Sequence, residues 1–220
     1  MADKIDYKKE YKDLYLPKRE PSFVTVPPMS FIMVDGKGDP NTSQEYQEAM
    51  EILYGLSFMI KMSKMHGNQP EGYFEYVVPP LEGLWRFEND TFSFAQLMDK
   101  SRFVWTSMIR QPEFVTQDVF TWAVSELKKK KPDLPVEKAR FEMLEEGLCA
   151  QVMHIGPYDT EPESIQKLEN FVAENGYGEA ISAPLPSGQA GRHHEIYLGD
   201  PRRTAPEKLK TVLRHPVRNG

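Results

Sequence analysis

Two stretches of ten residues, FIMVDGKGDP at positions 31–40 and QVMHIGPYDT at positions 151–160, decide the fold. In each, an apolar run typical of a buried strand leads into a turn that contains glycine. Three pairs of matching residues are each separated by 120 positions: Gly36 and Gly156, Asp39 and Asp159, Glu75 and Glu195. A further pair, Arg110 and Arg214, is separated by 104 positions. These matches predict an internal duplication, which fixes the architecture before any single motif does.

The order of predicted elements repeats along with these landmarks. In the first copy we expect strands at 23–26, 31–34, 73–78, 84–87 and 103–110, and a helix from a cap at Asn41, Thr42 or Ser43 to about Gly67. In the second copy we expect strands at 141–144, 148–155, 193–198 and 209–214, and a helix over about 162–175. The pattern predicts an α+β fold in which a duplicated sheet-and-helix unit has pseudo-two-fold symmetry and a ligand cleft lies between the copies.

The predicted domain organisation follows from this repeat. Residues 1–20 are rich in charged side chains and are expected to form an arm that lies on the surface or is partly disordered. Residues 21–217 are expected to form a single domain. Its parts are copy one at about 22–112, a linking helix at about 114–131 and copy two at about 139–217.

Composition excludes several classes of partner. The 220-residue chain has a formal net charge of −6, whereas a protein that binds the phosphate backbone of nucleic acid needs a positive surface. No apolar run approaches the roughly 20 residues of a membrane-spanning helix, and the first ten residues are charged, so we expect a cytoplasmic protein without a membrane partner. Cys149 is the lone cysteine and stands among apolar residues, which favours a core thiol over a nucleophile.

A carboxylate in the middle of a strand is the first candidate for chemistry. Because side chains alternate across a strand, His193, Glu195 and Tyr197 are expected on one face. Glu195 would then line the cleft, bind a cation or activate water as the catalytic residue, and Glu75 would do so in the other copy. The alternative is that either glutamate faces solvent or pairs with Arg202, Arg203 or Arg110. The functional interpretation is favoured for Glu195, and the two stand level for Glu75.

Aromatic residues in the same elements are candidates for contacts with a planar or cationic ligand. The preferred ones are Trp85, Tyr158 and Tyr197, followed by Trp105 and Tyr54. Each of them, taken alone, is also consistent with an ordinary core position. No metal site is predicted, because His193 and His194 are adjacent on a strand and point to opposite faces. No cofactor is predicted either, since the glycines at 36 and 38 lack the context of a phosphate-binding loop.

Six segments carry a resemblance to a known family: GKGDPN at 36–41, GYFEY at 72–76, PLEGLW at 80–85, IRQPEFVT at 109–116, HIGPYD at 154–159 and EIYL at 195–198. In this order they resemble the stand-alone GyrI-like small-molecule-binding proteins, over residues from about 20 to 217. The resemblance implies the duplicated fold described above, which is also that of effector-binding domains of bacterial transcription regulators. It further implies that Glu195 is the pocket carboxylate, with Trp85, Tyr158 and Tyr197 as candidates for an aromatic cage.

Three functions remain open at this point. In the first, the cleft binds a lipophilic, planar or cationic small molecule and hydrolyses it, as a subfamily with this resemblance does with cyclopropane-bearing DNA-alkylating natural products of the yatakemycin type. In the second, the protein sequesters or senses such xenobiotics without changing them. In the third, it is a protein-binding module of the gyrase-inhibitor kind. The sequence leaves open both the physiological ligand and the oligomeric state.

Overall fold

The computed structural model describes residues 4–87 and 100–220. The strands are β1 Ser22–Val26, β2 Met29–Lys37, β3 Leu81–Phe87, β4 Phe103–Arg110, β5 Ala139–Leu144, β6 Gly147–Ile155, β7 Tyr177–Glu179, β8 His193–Tyr197 and β9 Lys210–Asn219. The helices are α1 Tyr7–Glu10, α2 Lys12–Tyr15, α3 Gln44–Lys61, α4 Gln117–Lys130 and α5 Glu161–Glu174. Residues 88–99, which belong to the predicted first copy, lie outside the described part of the chain.

The strands form one antiparallel sheet in the order β1-β6-β9-β8-β3-β4-β2-β5, and β7 pairs with the outer end of β9. The two copies meet at the central pair of β3 and β8. The first strand of each copy crosses to the other half of the sheet, since β1 pairs with β6 and β5 pairs with β2. This exchange ties the halves together at both edges as well as at the centre.

The strand registers confirm the predicted duplication. Two positions 120 apart have equivalent neighbours: Phe31 lies between Arg110 and Glu142, and Gln151 lies between Arg214 and Ser22. The arginines in these pairs are the ones separated by 104 positions. The fold is therefore a duplicated sheet-and-helix unit with pseudo-two-fold symmetry, as the landmarks indicated.

The predicted match between Glu75 and Glu195 does not hold. Leu81 pairs with Ile109 in the first copy, and Glu195 pairs with Leu213 in the second, so Leu81 occupies the position equivalent to Glu195. The predicted strand at 73–78 is also wrong. This segment makes only an isolated bridge between Tyr76 and Ile5. Its aromatic side chains are used instead in a cluster of rings around Phe114.

Helices α3 and α5 cover one face of the sheet. The Oγ atom of Ser43 accepts a hydrogen bond from the Tyr46 amide at 3.3 Å, which confirms Ser43 among the predicted caps. Helix α3 packs on β2 and α4, and α5 packs on β6, β7 and β9. Cys149 lies fully buried in β6, where burial raises the pKa of its thiol. It is a core residue, as predicted.

The arm before β1 is more firmly attached than its charge predicts. Tyr7, Leu14 and Tyr15 are buried against the face of the sheet opposite α3 and α5. The hydroxyl of Tyr15 donates to Glu82 at 3.3 Å, and the carbonyl of Leu14 accepts a hydrogen bond from Arg214 at 2.6 Å. Leu14 and Tyr15 are adjacent and lie seven and eight positions after Tyr7, and the charged residues around them obscure this apolar set in the sequence.

Candidate functional site

Strand β8 presents different chemistry on its two faces. His193, Glu195 and Tyr197 face the side of the sheet that carries α3 and α5, as the alternation predicts. His194 points the other way, where it lies within hydrogen-bonding distance of Glu82 and Glu146. Since the two histidines do not share a face, they cannot bind one metal ion together.

Glu195 is held at both of its carboxylate oxygens. Its Oε2 accepts a hydrogen bond of 2.5 Å from the hydroxyl of Tyr197, and its Oε1 lies 3.0 Å from Nε2 of His193. The Tyr197 hydroxyl in turn accepts a hydrogen bond of 3.0 Å from Nε1 of Trp85. Burial, followed by the charge of Glu195, raises the pKa of Tyr197 well above its usual range, so the phenol stays protonated. With 15% of its side chain exposed, Glu195 is still open to a ligand.

Aromatic rings surround this carboxylate. Tyr46, on the first turn of α3, stacks on Trp85 with ring centroids 6.3 Å apart and meets Trp105 edge-on at 5.0 Å. Tyr158 meets Tyr197 edge-on at 5.9 Å. Four of the predicted ligand-binding residues therefore lie together near Glu195: Trp85, Trp105, Tyr158 and Tyr197. The sequence indicated Trp85, Tyr158 and Tyr197 by their proximity to turns or to Glu195, and Trp105 by its place near the strand that closes the first copy.

Trp105 forms the buried wall of the group and explains one of the landmark glycines. Its ring lies against Gly36 on the neighbouring strand, where an added Cβ would overlap the six-membered ring. Gly36 is thus required by a close approach of side chain to backbone, whereas the sequence indicated a turn.

Glu161 is a second acidic residue of the site, and the sequence did not single it out. It is the first residue of α5, where a carboxylate is favoured by the helix dipole and is ordinarily exposed. Here it is buried, and among the described residues its Oε1 has no hydrogen-bond partner. Burial, together with the charge of Glu195, raises its pKa well above the usual range for a glutamate. Ionisation of Glu161 is therefore disfavoured, and its carboxyl lies near enough to Glu195 for the two groups to interact.

Two other residues were missed for a similar reason. Tyr46 has the spacing of a core residue of α3, and its contact with both tryptophans depends on how the helix lies on the sheet. His193 was expected only as a neighbour of Glu195, without its hydrogen bond to that carboxylate. Nothing in the local sequence distinguishes these residues from ordinary core positions.

Of the remaining two predicted ligand-binding residues, Glu75 lies apart from this group, whereas Tyr54 lies near enough to Tyr46 to contribute to its raised pKa. Glu75 precedes β3 and forms an ion pair with Lys64, which also lowers the pKa of its carboxyl. Tyr54 lies two turns after Tyr46 on α3, is 38% exposed and stacks on Phe58. Glu195 thus lies beside the aromatic residues of β3, β4 and β8, whereas Glu75 lies away from them.

The arginines considered as partners of Glu195 are engaged elsewhere. Arg202 and Arg203 both form ion pairs with Asp200. Arg110 pairs with Glu113 and packs over the ring of Tyr7 on the opposite side of the sheet. The neighbours of Glu195 are therefore a phenol and an imidazole, which suits it to exchange protons or to receive a cationic ligand.

No cluster of three or more His, Cys, Asp or Glu residues in the described ranges is arranged to hold a metal ion. His154, which lies near the site, contacts Ser164 and the carbonyl of Pro157. The helices found within residues 4–87 and 100–220 are all too short or too polar to span a bilayer.

Comparisons with solved structures show close relatives. A structure of an uncharacterized conserved protein from Listeria innocua shares 46% identity, covers 98% of this chain and 100% of its own, and superposes with a TM-score of 0.88. Two structures described as hydrolases from Listeria innocua share 43% and 44% identity over 98% of this chain and 100% of theirs, with TM-scores of 0.84 and 0.87.

A more distant structure shows the fold alone. The C-terminal domain of EcmrR has 12% identity and a TM-score of 0.52, with 91% of this chain and 98% of that chain covered. The comparison with curated proteins found no significant match. The model of the GyrI-like small molecule binding domain matches residues 19–218, which is nearly the whole chain. The chain therefore belongs to the family of GyrI-like small-molecule-binding domains.

Proposed function

We propose that the cleft beside Glu195 binds a flat, lipophilic small molecule and hydrolyses it, with Glu195 as the base that takes a proton from water. The observation that carries this proposal is the hydrogen-bonded series Trp85, Tyr197, Glu195, in which the last contact measures 2.5 Å. A carboxylate fixed in this way beside aromatic rings has both a place for a planar ligand and a group to activate water.

The ligand class follows from the surfaces near Glu195. The rings of Tyr46, Trp85, Tyr158 and Tyr197 favour a planar apolar body. Two carboxyl groups, Glu195 and Glu161, favour an electrophilic or cationic group on the ligand. The same pair supplies the two functions of acid–base catalysis, since the neutral Glu161 can donate a proton while Glu195 accepts one.

A cyclopropane that is activated by a conjugated carbonyl is the substrate class that uses both groups. Water attacks the ring carbon and gives a proton to Glu195. The carbon–carbon bond breaks, and its electron pair moves to the carbonyl oxygen, which takes a proton from Glu161. The product is the ligand plus one water molecule. Glu195 then loses the proton it gained and Glu161 regains the one it gave, by exchange with each other or with solvent.

The relatives support hydrolysis over simple binding. Two structures with 43% and 44% identity to this chain are described as hydrolases. The second candidate function is sequestration of the same ligands without turnover, and it is supported by the family's small-molecule-binding domain itself. Binding to gyrase or another protein has no comparable support from the site.

The test is incubation of the purified protein with a cyclopropane-containing alkylator, followed by chromatography and mass spectrometry. Wild type should add one water to more ligand molecules than there are protein molecules, and Glu195→Gln should lose turnover while keeping its fold. Glu163→Gln, which changes an exposed carboxylate on the first turn of α5, is the matched control and should behave as wild type. Ligand that is bound and recovered intact would leave sequestration as the function. Equal turnover by Glu195→Gln would remove Glu195 from the mechanism.

A further inference from the structure

A line of four side chains leads from Glu195 to the outer part of the sheet. Glu195 Oε1 lies 3.0 Å from His193 Nε2, and His193 Nδ1 lies 2.7 Å from His215 Nε2. At the far end His215 Nδ1 lies 2.6 Å from Glu179 Oε1. Both imidazoles are fully buried, whereas 27% of the Glu179 side chain is exposed. The two histidines in the middle of the line are therefore buried, and the glutamates at its two ends are partly exposed.

The sheet builds this line from three strands. His194 pairs with Arg214, which places the preceding and following residues, His193 and His215, side by side on β8 and β9. The three-residue strand β7 pairs only with the outer end of β9 and brings Glu179 next to Val217. The short strand β7 thus delivers one carboxylate to the second imidazole.

Two neutral imidazole rings do not supply enough protons for the three hydrogen bonds of this line. Its three contacts join nitrogen or oxygen atoms at hydrogen-bonding distances, so each needs one proton. Two neutral imidazoles bring one proton each, and two ionised carboxylates bring none. A third proton is needed, either on a carboxyl group or as an imidazolium. Because every link can both donate and accept, the position of that proton is not fixed by the geometry.

We propose that His193 and His215 conduct protons between Glu195 in the cleft and Glu179 at the outer end of the sheet. The proton on Glu195 Oε1 moves to His193 Nε2 while the proton on His193 Nδ1 moves to His215 Nε2. The proton on His215 Nδ1 then moves to Glu179 Oε1. Each ring gains and loses one proton, and the net change is the transfer of one proton from Glu195 to Glu179. The reverse movement reloads Glu195.

The charged surroundings fit such a transfer. Glu195 faces Tyr197 on its own strand and Glu161 from α5, and Glu179 faces Glu169 from α5. Burial lowers the pKa of His193 despite the pull of Glu195, which keeps this ring neutral and able to accept a proton. Burial works against the charge of Glu179, but the hydrogen bond and charge of His215 lower its pKa. Glu179 can therefore release a proton that reaches it.

Only the role of the relay depends on the proposed function: in hydrolysis it would remove the proton that Glu195 takes from water. His193, His215 and Glu179 would be positioning residues, because none of them needs to touch the ligand. The alternative is a fixed network that only satisfies buried polar atoms. A test must therefore follow protons on the rings and not turnover alone.

The experiment is ¹⁵N NMR of the full chain labelled at the histidine ring nitrogens. Wild type should show a scalar coupling across the hydrogen bond between His193 Nδ1 and His215 Nε2, and each ring should exchange between its two tautomers; a single fixed tautomer of each ring would instead mark a static network and overturn the proposal. Glu179→Gln keeps the shape of the side chain and removes the charge, and it should change which nitrogen of His193 is protonated although Glu179 does not touch that ring. Glu169→Gln removes a nearby carboxylate that is not a link, and it should leave the tautomers of both rings as in wild type.

The opposite end gives an independent check if Glu179→Gln does not fold. Glu195→Gln should change the tautomer of His215, which lies one ring away. The proposal is overturned if each variant changes only the ring it touches, or if the coupling between the rings is absent. These readouts need no substrate, so loss of the proposed hydrolysis with intact ring coupling would refute the proposed function alone. Turnover without ring coupling would refute the relay alone.

Discussion

Tyr197 donates its only proton to Glu195, two residues before it on the same strand, across 2.5 Å. The direction is fixed because the same hydroxyl already accepts the Nε1–H of Trp85. A hydroxyl that donates to an ionised carboxylate makes a short and strong hydrogen bond. The orientation of the Glu195 carboxylate is therefore set by an indole from β3 through a phenol on β8.

Tyr197→Phe is the direct test of this arrangement. The variant leaves the Trp85 N–H without an acceptor and removes one donor from Glu195, and each buried polar group left unpaired costs about 1–3 kcal/mol. We expect the free energy of unfolding in urea to fall by about that amount. We also expect a change in tryptophan fluorescence and weaker binding of planar ligands.

The matched control is Tyr177→Phe. Tyr177 packs on Phe23, and its ring contact does not involve the hydroxyl. This variant should unfold at the wild-type urea concentration. If the two variants unfold alike, the hydroxyl of Tyr197 does not hold the site together.

Strand alternation predicted the placement of Glu195 and Tyr197 because it depends only on the local chain. The position of Glu75 could not be predicted in the same way. Helix α3 has 18 residues and α5 has 14, so the offset between the copies changes before β3 begins. A shared spacing of 120 positions beyond that point is a coincidence. The sequence gives no direct sign of a change in offset, because glutamate suits both an exposed segment and a strand.

The contacts between helices and strands could not be predicted from the sequence. Glu161 at the start of a helix and Tyr46 on an apolar helix face have ordinary local patterns. Their role arises from the position of each helix on the sheet. The same holds for His215, whose partners come from β7 and β8. The residues that face each other across two strands depend on the strand registers. The sequence predicted the order of the strands along the chain but not these registers.

Stability should depend on pH through His194 on the other face of the sheet. Burial disfavours its charged form, but the carboxylates of Glu146 and Glu82, at 3.0 and 2.9 Å, raise its pKa from 6.5 to about 9. A raised pKa stabilises the folded state fully below the unfolded value of 6.5, and this contribution is lost as the pH rises to about 9. We expect a loss on the order of 3 kcal/mol over that range.

Urea unfolding of wild type at several pH values across this range measures the effect. His194→Gln should be less stable than wild type at the low end and should show a flatter pH dependence. Arg214 also donates a hydrogen bond to Glu146, and this contact is present in both proteins. A wild-type free energy of unfolding that stays constant across the range would contradict a charged His194.

Glu161→Gln should make the protein more stable near neutral pH. The pKa of Glu161 is raised in the folded state, chiefly by burial, so the folded protein disfavours the ionised carboxylate that the unfolded chain carries above a pH of 4.5. Stability therefore falls as the pH rises above the unfolded value of 4.5 towards the raised one. Glutamine has nearly the shape of the protonated acid and cannot ionise, so it removes this penalty.

The measurement is the urea midpoint of both proteins near neutral pH and again at a pH of about 4, close to the unfolded pKa. The midpoint of Glu161→Gln should exceed that of wild type near neutral pH, and the difference should shrink in acid. Glu163→Gln, an exposed neighbour in the same helical turn, should follow wild type at both pH values. A variant that is less stable than wild type near neutral pH would mean that Glu161 is ionised in the folded protein. Its role as the acid in the proposed hydrolysis would then fail as well, because an ionised carboxylate has no proton to give to the ligand.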